Sequence, residues 1–268
     1  MDRERGSILY FARSRRSGGI SLGVNLFPDG KKCQFDCPYC EIFPFDTGEP
    51  FSLARMETNL RRALLRAKRD KQAPADICFS GCGEPTLSPF FPEALLLAAR
   101  IRDEDAPGVP LRLITNGAGL LDPAIFALLR DCSGGGIALD AWIKVDSGAS
   151  EWAGKINASA IKRELIAEKL SEFAALAPFK TQTMICAIDG SSPEDAERLA
   201  WESFLLDLAR AGGANYREAQ IYGKSRPAPL DPRASTLPDD FVLGRAKALR
   251  DALASLRLPQ IPKVSVFL

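Results

Sequence analysis

Apolar, β-branched segments alternate with amphipathic segments along the whole chain of 268 residues. The short apolar segments are typical of buried strands, whereas the segments between them carry apolar residues at helical spacing. Strands are predicted over residues 20–27, 75–81, 111–116, 136–146, 179–188 and 216–222. A last helix is predicted over residues 239–256, and a short terminal strand over 264–268.

The segment 52–69 shows the helical spacing most clearly, because its apolar residues recur at intervals of three and four. The residues that share this face are Leu53, Met56, Leu60, Leu64 and Ala67. Three other helices are predicted to begin where a capping side chain precedes a proline. These pairs are Ser88-Pro89, Asp122-Pro123 and Ser192-Pro193, and Gly212-Gly213 is predicted to end the fifth helix.

Six strand-then-helix units predict an α/β fold with parallel strands and right-handed crossovers. Eight units make a closed barrel, so six units with long loops predict a partial (β/α)6 TIM-like barrel that is open along one side. A doubly wound open sheet is the alternative. We expect a single domain over residues 1–268, with a core from about 18 to 230 and a C-terminal helix and strand over 231–268. In both architectures the functional face lies at the carboxyl ends of the strands.

The composition is that of an ordinary globular protein, with 46% apolar and 26% charged residues. The formal net charge of +1 gives no protein-wide attraction for nucleic acid. The chain contains no histidine, which excludes a zinc hydrolase built on histidine and leaves proton transfer to other side chains. No secretory signal opens the chain and no apolar run can cross a bilayer. We therefore expect a cytoplasmic protein with reduced cysteines and no membrane contact.

Three cysteines are crowded into the segment KKCQFDCPYCEIF, residues 31–43. Cys33, Cys37 and Cys40 have the spacing C-x3-C-x2-C, and Tyr39 directly precedes the last of them. A structural zinc site has four ligands, and a four-iron, four-sulfur (4Fe-4S) cluster normally has four cysteines. Three cysteines leave one metal position open, which is typical of a reactive site. A structural zinc site completed by a distant cysteine is the alternative.

Other unusual segments follow the other predicted strands. They are SGCGEPTL (80–87), TNGAG (115–119), KVDSG (144–148) and YGKSRP (222–227). Because the carboxyl ends of parallel strands meet at one edge, we expect these segments to converge with the cysteines.

The cysteine spacing, with an aromatic residue before the third cysteine, resembles the signature of radical S-adenosylmethionine (SAM) enzymes. Gly83-Glu84-Pro85 resembles the G-E-P segment of that superfamily, and the six units resemble its partial barrel. The segments SLGVNLFPDGKKCQFDCPYC, FSGCGEPTL, IKVDSG and QIYGKSRP resemble a subgroup of iron–sulfur oxidoreductases related to wyosine-type tRNA-modifying enzymes. The resemblance covers most of residues 7–227.

The resemblance implies that Cys33, Cys37 and Cys40 hold a 4Fe-4S cluster and that SAM chelates its fourth iron. The reduced cluster of such enzymes cleaves SAM to methionine and a 5′-deoxyadenosyl radical, which abstracts hydrogen from a substrate. The family also implies a low-potential electron donor, either a flavodoxin or a ferredoxin. The cofactor supplies the difficult chemistry, and the protein orients it.

The same loops supply the residues that are expected to contact SAM. Tyr39 offers an aromatic face to the adenine. The backbone of the segment from Gly83 through Glu84 to Pro85 is expected to bond the methionine amino group, because glycine permits close approach and proline stiffens the turn. Asn116 lies where a third loop meets the ligand.

One face of the strand over residues 136–146 is polar, and a polar face inside an α/β protein must meet polar partners. Its members are Asp140, Trp142, Lys144 and Asp146. Lys144 is expected to pair with the methionine carboxylate, and Asp146 and Ser147 with the ribose hydroxyls. Cys82 and Lys144 are the candidate catalytic residues. The remaining cysteines, Cys78, Cys132 and Cys186, are expected in the core.

Three functions stay open for the chain. The first is a radical SAM enzyme acting on an RNA nucleoside, the second an activase of a glycyl radical enzyme, and the third a non-catalytic zinc protein. Basic side chains on the first helix and near the N-terminus favour RNA, although a solvated helix face is the alternative interpretation. They are Arg55, Arg62, Arg66, Arg69, Arg3, Arg5, Arg13, Arg15 and Arg16. Arg226 either binds an anionic substrate or braces its own loop.

Overall fold

The computed structural model describes residues 6–226, 228 and 231–268, and one large sheet dominates it. Its strands are β1 (Leu9–Ser14), β2 (Gly19–Val24), β3 (Asp76–Phe79), β4 (Leu111–Thr115), β5 (Asp140–Lys144), β6 (Phe179–Ile185), β8 (Tyr216–Gly223) and β10 (Lys263–Phe267), in this order across the sheet. Two short strands, β7 (Ala187–Ile188) and β9 (Ala234–Ser235), pair with each other outside it.

Helices cover one face of the sheet and connect its strands. They are α1 (Leu53–Arg69), α2 (Phe91–Asp105), α3 (Pro123–Gly134), α4 (Ser150–Ile156), α5 (Arg163–Leu176), α6 (Asp195–Gly212) and α7 (Asp239–Ser255). Short 3-10 turns occupy Pro85–Leu87, Ala118–Leu121 and Gly213–Asn215. The largest core side chains, among them Phe79, Phe91 and Phe173, are fully buried, so the helices and the sheet share a continuous apolar core.

The strand pairing confirms the predicted partial barrel. Strand β1 is antiparallel to β2, and every other neighbouring pair of the main sheet is parallel. The sheet curls into a half-barrel. A doubly wound sheet reverses its strand order at a switch point, whereas the strands described here follow one another in sequence order. The doubly wound alternative is therefore wrong.

The six predicted strands and the terminal strand are all present, but β1 and β9 were not predicted, and the strand predicted over 179–188 is divided at Cys186 into β6 and β7. Strand β1 lies at the edge of the sheet, and Phe11 and Arg13 on it are exposed. Such a strand lacks the continuous apolar run of a buried parallel strand. Strand β9 has two residues, which is too short for a detectable alternation.

The buried face of α1 is confirmed, since Met56, Leu60 and Leu64 are its buried residues. One predicted helix start is also confirmed: the carboxylate of Asp122 accepts the N–H groups of Ala124 and Ile125 and caps α3.

The other two predicted helix starts are wrong. The predicted end of the fifth helix, which is α6 in the structure, is confirmed. The hydroxyl of Ser88 accepts the N–H of Phe90 in a turn before α2, which begins one residue later. Helix α6 begins at Asp195, two residues beyond the predicted proline. The same helix ends at Gly212, and Gly213 follows with a φ of 48°, a conformation that glycine adopts without strain.

Charged side chains cross the inside of the half-barrel near the amino ends of its strands. Arg112 bonds Asp76 and lies 3.0 Å from Asp140, and Lys180 lies 3.1 Å from Asp140 and 3.5 Å from Glu218. These pairs neutralise Asp140 at the amino end of the polar face of β5. The polar residues at the carboxyl ends of the strands, where the predicted site lies, take no part in these ion pairs.

Candidate functional site

A long loop between β2 and α1 carries the three clustered cysteines. The thiols of Cys33, Cys37 and Cys40 are all free of disulfides, and the N–H of Cys40 donates to the carbonyl of Cys37 at 2.9 Å, forming a tight turn. Among the described residues, no three Cys, Asp or Glu side chains converge as ligands of a single metal ion.

One side of the cysteine loop is fixed to the G-E-P segment after β3. The N–H of Lys32 donates to the carbonyl of Cys82 at 3.1 Å, and the N–H of Glu84 donates to the carbonyl of Lys32 at 2.9 Å. A Cβ atom at Gly83 would overlap the carbonyl of Lys32 and the ring of Phe27. Glycine at this position therefore allows the two backbones to pair, which places Cys33 beside the G-E-P segment.

The other side of the cysteine loop is fixed to the end of α4. The N–H of Asp36 donates to the carbonyl of Asn157 at 3.1 Å. The side-chain amide of Asn157 donates to the Cys37 sulfur at 3.6 Å and to an oxygen of Asp146 at 3.0 Å. One amide group thus ties the second cysteine to the carboxyl end of β5.

Polar groups surround two of the three sulfur atoms. The sulfur of Cys33 accepts the N–H of Phe35 at 3.4 Å and the amide of Asn116 at 3.7 Å. Burial raises the pKa of Cys37 to about 12, and the negative charge of Asp146 acts in the same direction. The Cys37 thiol is therefore protonated at neutral pH, and a metal must displace its proton on binding.

The carboxylate of Asp146, just beyond β5, interacts with four donor groups. It accepts the Tyr39 hydroxyl at 2.5 Å and the N–H of Met184 at 2.9 Å, besides the amide of Asn157. The ammonium of Lys144 lies 3.3 Å away. The structure thus brings together three predicted site residues, Tyr39, Lys144 and Asp146, beneath the cysteine loop.

The charge of Lys144 is well balanced by its neighbours. Burial alone would lower its pKa, but Asp146 and Tyr222 outweigh burial and raise the pKa above its ordinary value. Its ammonium donates to the Tyr222 hydroxyl at 2.5 Å and lies 4.9 Å from the centre of the Tyr39 ring. Lys144 is therefore a fixed positive charge between two aromatic rings.

Glu84 braces two loops. One carboxylate oxygen accepts the N–H and the hydroxyl of Thr86 and the hydroxyl of Thr115, and the other accepts the N–H of Asn116 at 2.7 Å. Burial raises the pKa of this carboxyl, and the hydrogen bonds oppose that shift. The Glu84 side chain thus orients Asn116 toward Cys33, while contact between the G-E-P segment and a cofactor stays a prediction.

A cavity of about 410 Å³, here called the first cavity, lies beside the cysteine loop. Its volume falls in the ordinary range of small-molecule sites. Four residues predicted to contact SAM line it, namely Asn116, Lys144, Asp146 and Ser147, together with residues of α4 and α5.

A second cavity of about 600 Å³ occupies the inside of the half-barrel. Tyr39, Cys82 and Tyr222 line it, and Cys82 is buried. The cluster of Tyr39, Lys144 and Asp146 stands between the two cavities. The two candidate catalytic residues, Cys82 and Lys144, thus line different cavities, and their roles stay predictions.

Two contributors to the site were not predicted from the sequence. Asn157 contacts Cys37 from 120 residues away and belongs to no recognisable motif. Tyr222, whose hydroxyl accepts a hydrogen bond from the ammonium of Lys144, lies in the segment YGKSRP, and no pattern in that segment indicates this contact. By contrast, Cys78, Cys132 and Cys186 are buried as predicted.

Several of the basic residues on which the RNA hypothesis rests are paired with acidic side chains. Arg3 and Arg5 lie outside the described residues. On α1, Arg55 pairs with Glu49, and Arg66 and Arg69 pair with Asp70, as expected for a solvated helix face. Arg226 pairs with Glu41 at 3.0 Å, which favours the interpretation that it braces the loop.

No family model matches the chain. Two proteins from strains of Helicobacter pylori, each described as UPF0026 protein, are 29% identical to it over 137 residues. The match covers 49% of this chain and 42% of either relative, so the chain matches less than half the length of these proteins.

Several solved structures share the fold. A radical SAM methyltransferase from Sphaerobacter thermophilus has a TM-score of 0.65 and 15% identity, covering 96% of this chain and 68% of its own. Streptococcus suis SuiB bound to S-adenosylmethionine has a TM-score of 0.64 and 10% identity, covering 89% and 49%. A spore photoproduct lyase mutant has a TM-score of 0.58 and 12% identity, covering 96% and 78%.

The fold predicted from the cysteine motif and the six units is confirmed by these likenesses. At such low identity they show the fold alone: the chain has the half-barrel of radical SAM enzymes. Among the described residues, no helix is both long enough and apolar enough to traverse a membrane.

Proposed function

We propose that this chain, which has the radical SAM fold, binds a 4Fe-4S cluster and cleaves S-adenosylmethionine reductively to start a radical reaction. The observation that carries the proposal is the cysteine loop. Three unpaired thiols lie in one loop at the carboxyl ends of parallel strands, and that loop adjoins two cavities of ligand size.

The donor set fits such a cluster. Three thiols of one loop, Cys33, Cys37 and Cys40, serve three iron corners and leave the fourth corner to a small molecule. A single zinc ion needs its ligands to converge on one point, with sulfur about 2.3 Å from the metal. The hydrogen bonds to the sulfurs of Cys33 and Cys37 are the kind that tune a cluster potential.

When bound, the cluster supplies the electron that cleaves S-adenosylmethionine. The protein's part is to bind and orient that cofactor. We assign the cofactor to the first cavity, where Asp146 and Ser147 are placed to meet its ribose and Asn116 the neighbouring polar groups. Lys144 supplies the positive charge that a methionine carboxylate requires, and Tyr39 stands beside Lys144 at the border with the second cavity.

The second cavity is the proposed place of the substrate, because it adjoins the first across Tyr39 and is lined by residues of the half-barrel strands. A flavodoxin or ferredoxin is the proposed electron donor, and the cytoplasm, which keeps thiols reduced, is the proposed location.

Anaerobic reconstitution tests the proposal. The full chain, loaded with iron and sulfide, is expected to bind about four irons. Its brown colour should bleach on reduction by dithionite, and S-adenosylmethionine should then yield equal amounts of methionine and 5′-deoxyadenosine, measured by chromatography with mass detection.

The same preparation distinguishes the alternatives. A colourless chain with one zinc per molecule and no 5′-deoxyadenosine would refute the radical function and leave a structural metal protein. Formation of a stable glycyl radical on a co-purifying protein would instead identify an activase.

A further inference from the structure

Positive side chains dominate the lining of the second cavity. Among the described residues, five cationic side chains and one acidic side chain line this cavity: Arg13, Arg15, Arg16, Lys224 and Arg226, and Glu41. Since Arg226 already neutralises Glu41, the remaining cations have no acidic counterpart in the part of the cavity wall that the structure describes. A concave surface of one charge sign concentrates ligands of the opposite sign.

Lys224 is the most informative of these residues. Only 5% of it is exposed, so its ammonium has lost most contact with water. Among the described residues it has no carboxylate within ion-pair distance, and it donates to the backbone carbonyl of Arg226. A buried ammonium without an opposite charge is costly unless a ligand supplies that charge.

Arg16 reaches the same region from the turn between β1 and β2. Its guanidinium lies 4.5 Å from the centre of the Tyr222 ring, which stands two residues before Lys224. Among the described residues Arg16 has no carboxylate partner either. Stacking on the ring fixes the plane of the guanidinium but leaves its N–H groups to donate to a phosphate or carboxylate.

We propose that the second cavity binds a substrate with an anionic group, phosphate or carboxylate, held by Arg16 and Lys224. The inference rests on the proposed function for the identity of the ligand as substrate. Tyr10 and Tyr222 give the same cavity an aromatic wall for the body of the molecule. The proposed function assigns the carboxylate of S-adenosylmethionine to Lys144 on the first cavity, which leaves these two cations for a second molecule.

Calorimetric titration of the reconstituted chain at saturating S-adenosylmethionine, with the cluster kept oxidised so that no cofactor is cleaved, tests the proposal independently of radical chemistry. A chain that forms no cluster is titrated without the cofactor. The probes are uridine 5′-monophosphate against uridine, and benzoate against benzyl alcohol. At least one anionic probe should bind about tenfold or more tightly than its neutral counterpart, because each charged hydrogen bond is worth about that factor. The pair that shows the difference distinguishes phosphate from carboxylate.

Two variants locate the site. Lys224→Met and Arg16→Gln should each weaken the anionic probe about tenfold while leaving the neutral one and S-adenosylmethionine unchanged. Lys247→Met and Arg217→Gln, which remove exposed cations away from the cavity, should change nothing. Arg16 is only partly buried, so its variant should fold even if the Lys224 variant does not.

Equal binding of both members in both pairs would overturn the proposal, as would unchanged binding in the Arg16 variant. Loss of S-adenosylmethionine binding in that variant would also overturn it, by assigning the cation to the cofactor. If the chain fails to form a cluster but binds the anion through Arg16, the result would refute the proposed radical function and support the anion site. A five-nucleotide RNA that binds more tightly than the mononucleotide would identify the source of the phosphate as a nucleic-acid chain.

Discussion

Replacing Cys33, Cys37 or Cys40 by alanine, one at a time, is expected to reduce bound iron and 5′-deoxyadenosine formation to background. The proposed cluster has four metal corners and the cysteine loop offers three thiolates, so that loop has no further cysteine to replace a lost ligand. Losing one more thiolate leaves two corners open, and such a cluster is not retained. The loss of the cluster is measured as iron and sulfide per chain after anaerobic reconstitution and desalting. The loss of activity is measured as 5′-deoxyadenosine formed.

The matched control is Cys132→Ala, which removes a buried thiol in α3, away from the cysteine loop. It is expected to lose about 1 kcal/mol of stability through the small cavity it leaves, with full iron content and activity. Circular dichroism of all four variants verifies that they are folded. Iron retained by any of the three loop variants, or lost from the control, would contradict the ligand assignment.

Replacing Glu84 by alanine is expected to lower the free energy of unfolding by about 4 kcal/mol, because two buried backbone N–H groups lose their acceptor at about 1–3 kcal/mol each. Those groups belong to Thr86 and Asn116, and the hydroxyls of Thr86 and Thr115 lose the same partner. Asn116 would then no longer be held against the sulfur of Cys33. Urea unfolding of the iron-free chain measures the loss.

Two further variants refine that result. Glu84→Gln keeps the oxygen that accepts three of the four bonds and places an amide against the N–H of Asn116, so it is expected to cost about 2 kcal/mol. Glu93→Ala, on the exposed side of α2, is expected to change the unfolding free energy by less than about 0.5 kcal/mol. Equal stability of the Glu84→Ala and Glu93→Ala chains would mean that the carboxylate does not brace the loops.

The strands of the half-barrel were predictable because buried parallel strands are continuous apolar runs. The convergence of the cysteines, Asn116 and the segment 144–148 was predictable because parallel strands end on one edge. Strand β1 was not predicted because an exposed edge strand has no such apolar run. The helix starts after Ser88 and Ser192 were misplaced because a capping pair does not exclude a turn before the helix.

The parts of the site that the sequence did not reveal depend on contacts between distant segments. Asn157 ends a seven-residue helix, and nothing local indicates that its amide joins Cys37 to Asp146. The carboxylate of Glu84 belongs to a recognisable motif, but its role as a brace appears only when β4 places Thr115 and Asn116 beside it. The charge imbalance of the second cavity likewise requires the turn after β1 to meet the end of β8.

The central claim is that the three thiolates leave one corner of a four-iron cluster without a protein ligand. Mössbauer spectroscopy of the chain reconstituted with iron-57, recorded before and after S-adenosylmethionine is added, tests it most directly. One iron subsite in about four is expected to change its signal when the cofactor binds, while the others keep theirs. A spectrum in which no subsite responds, although binding of the cofactor is verified by titration, would contradict it.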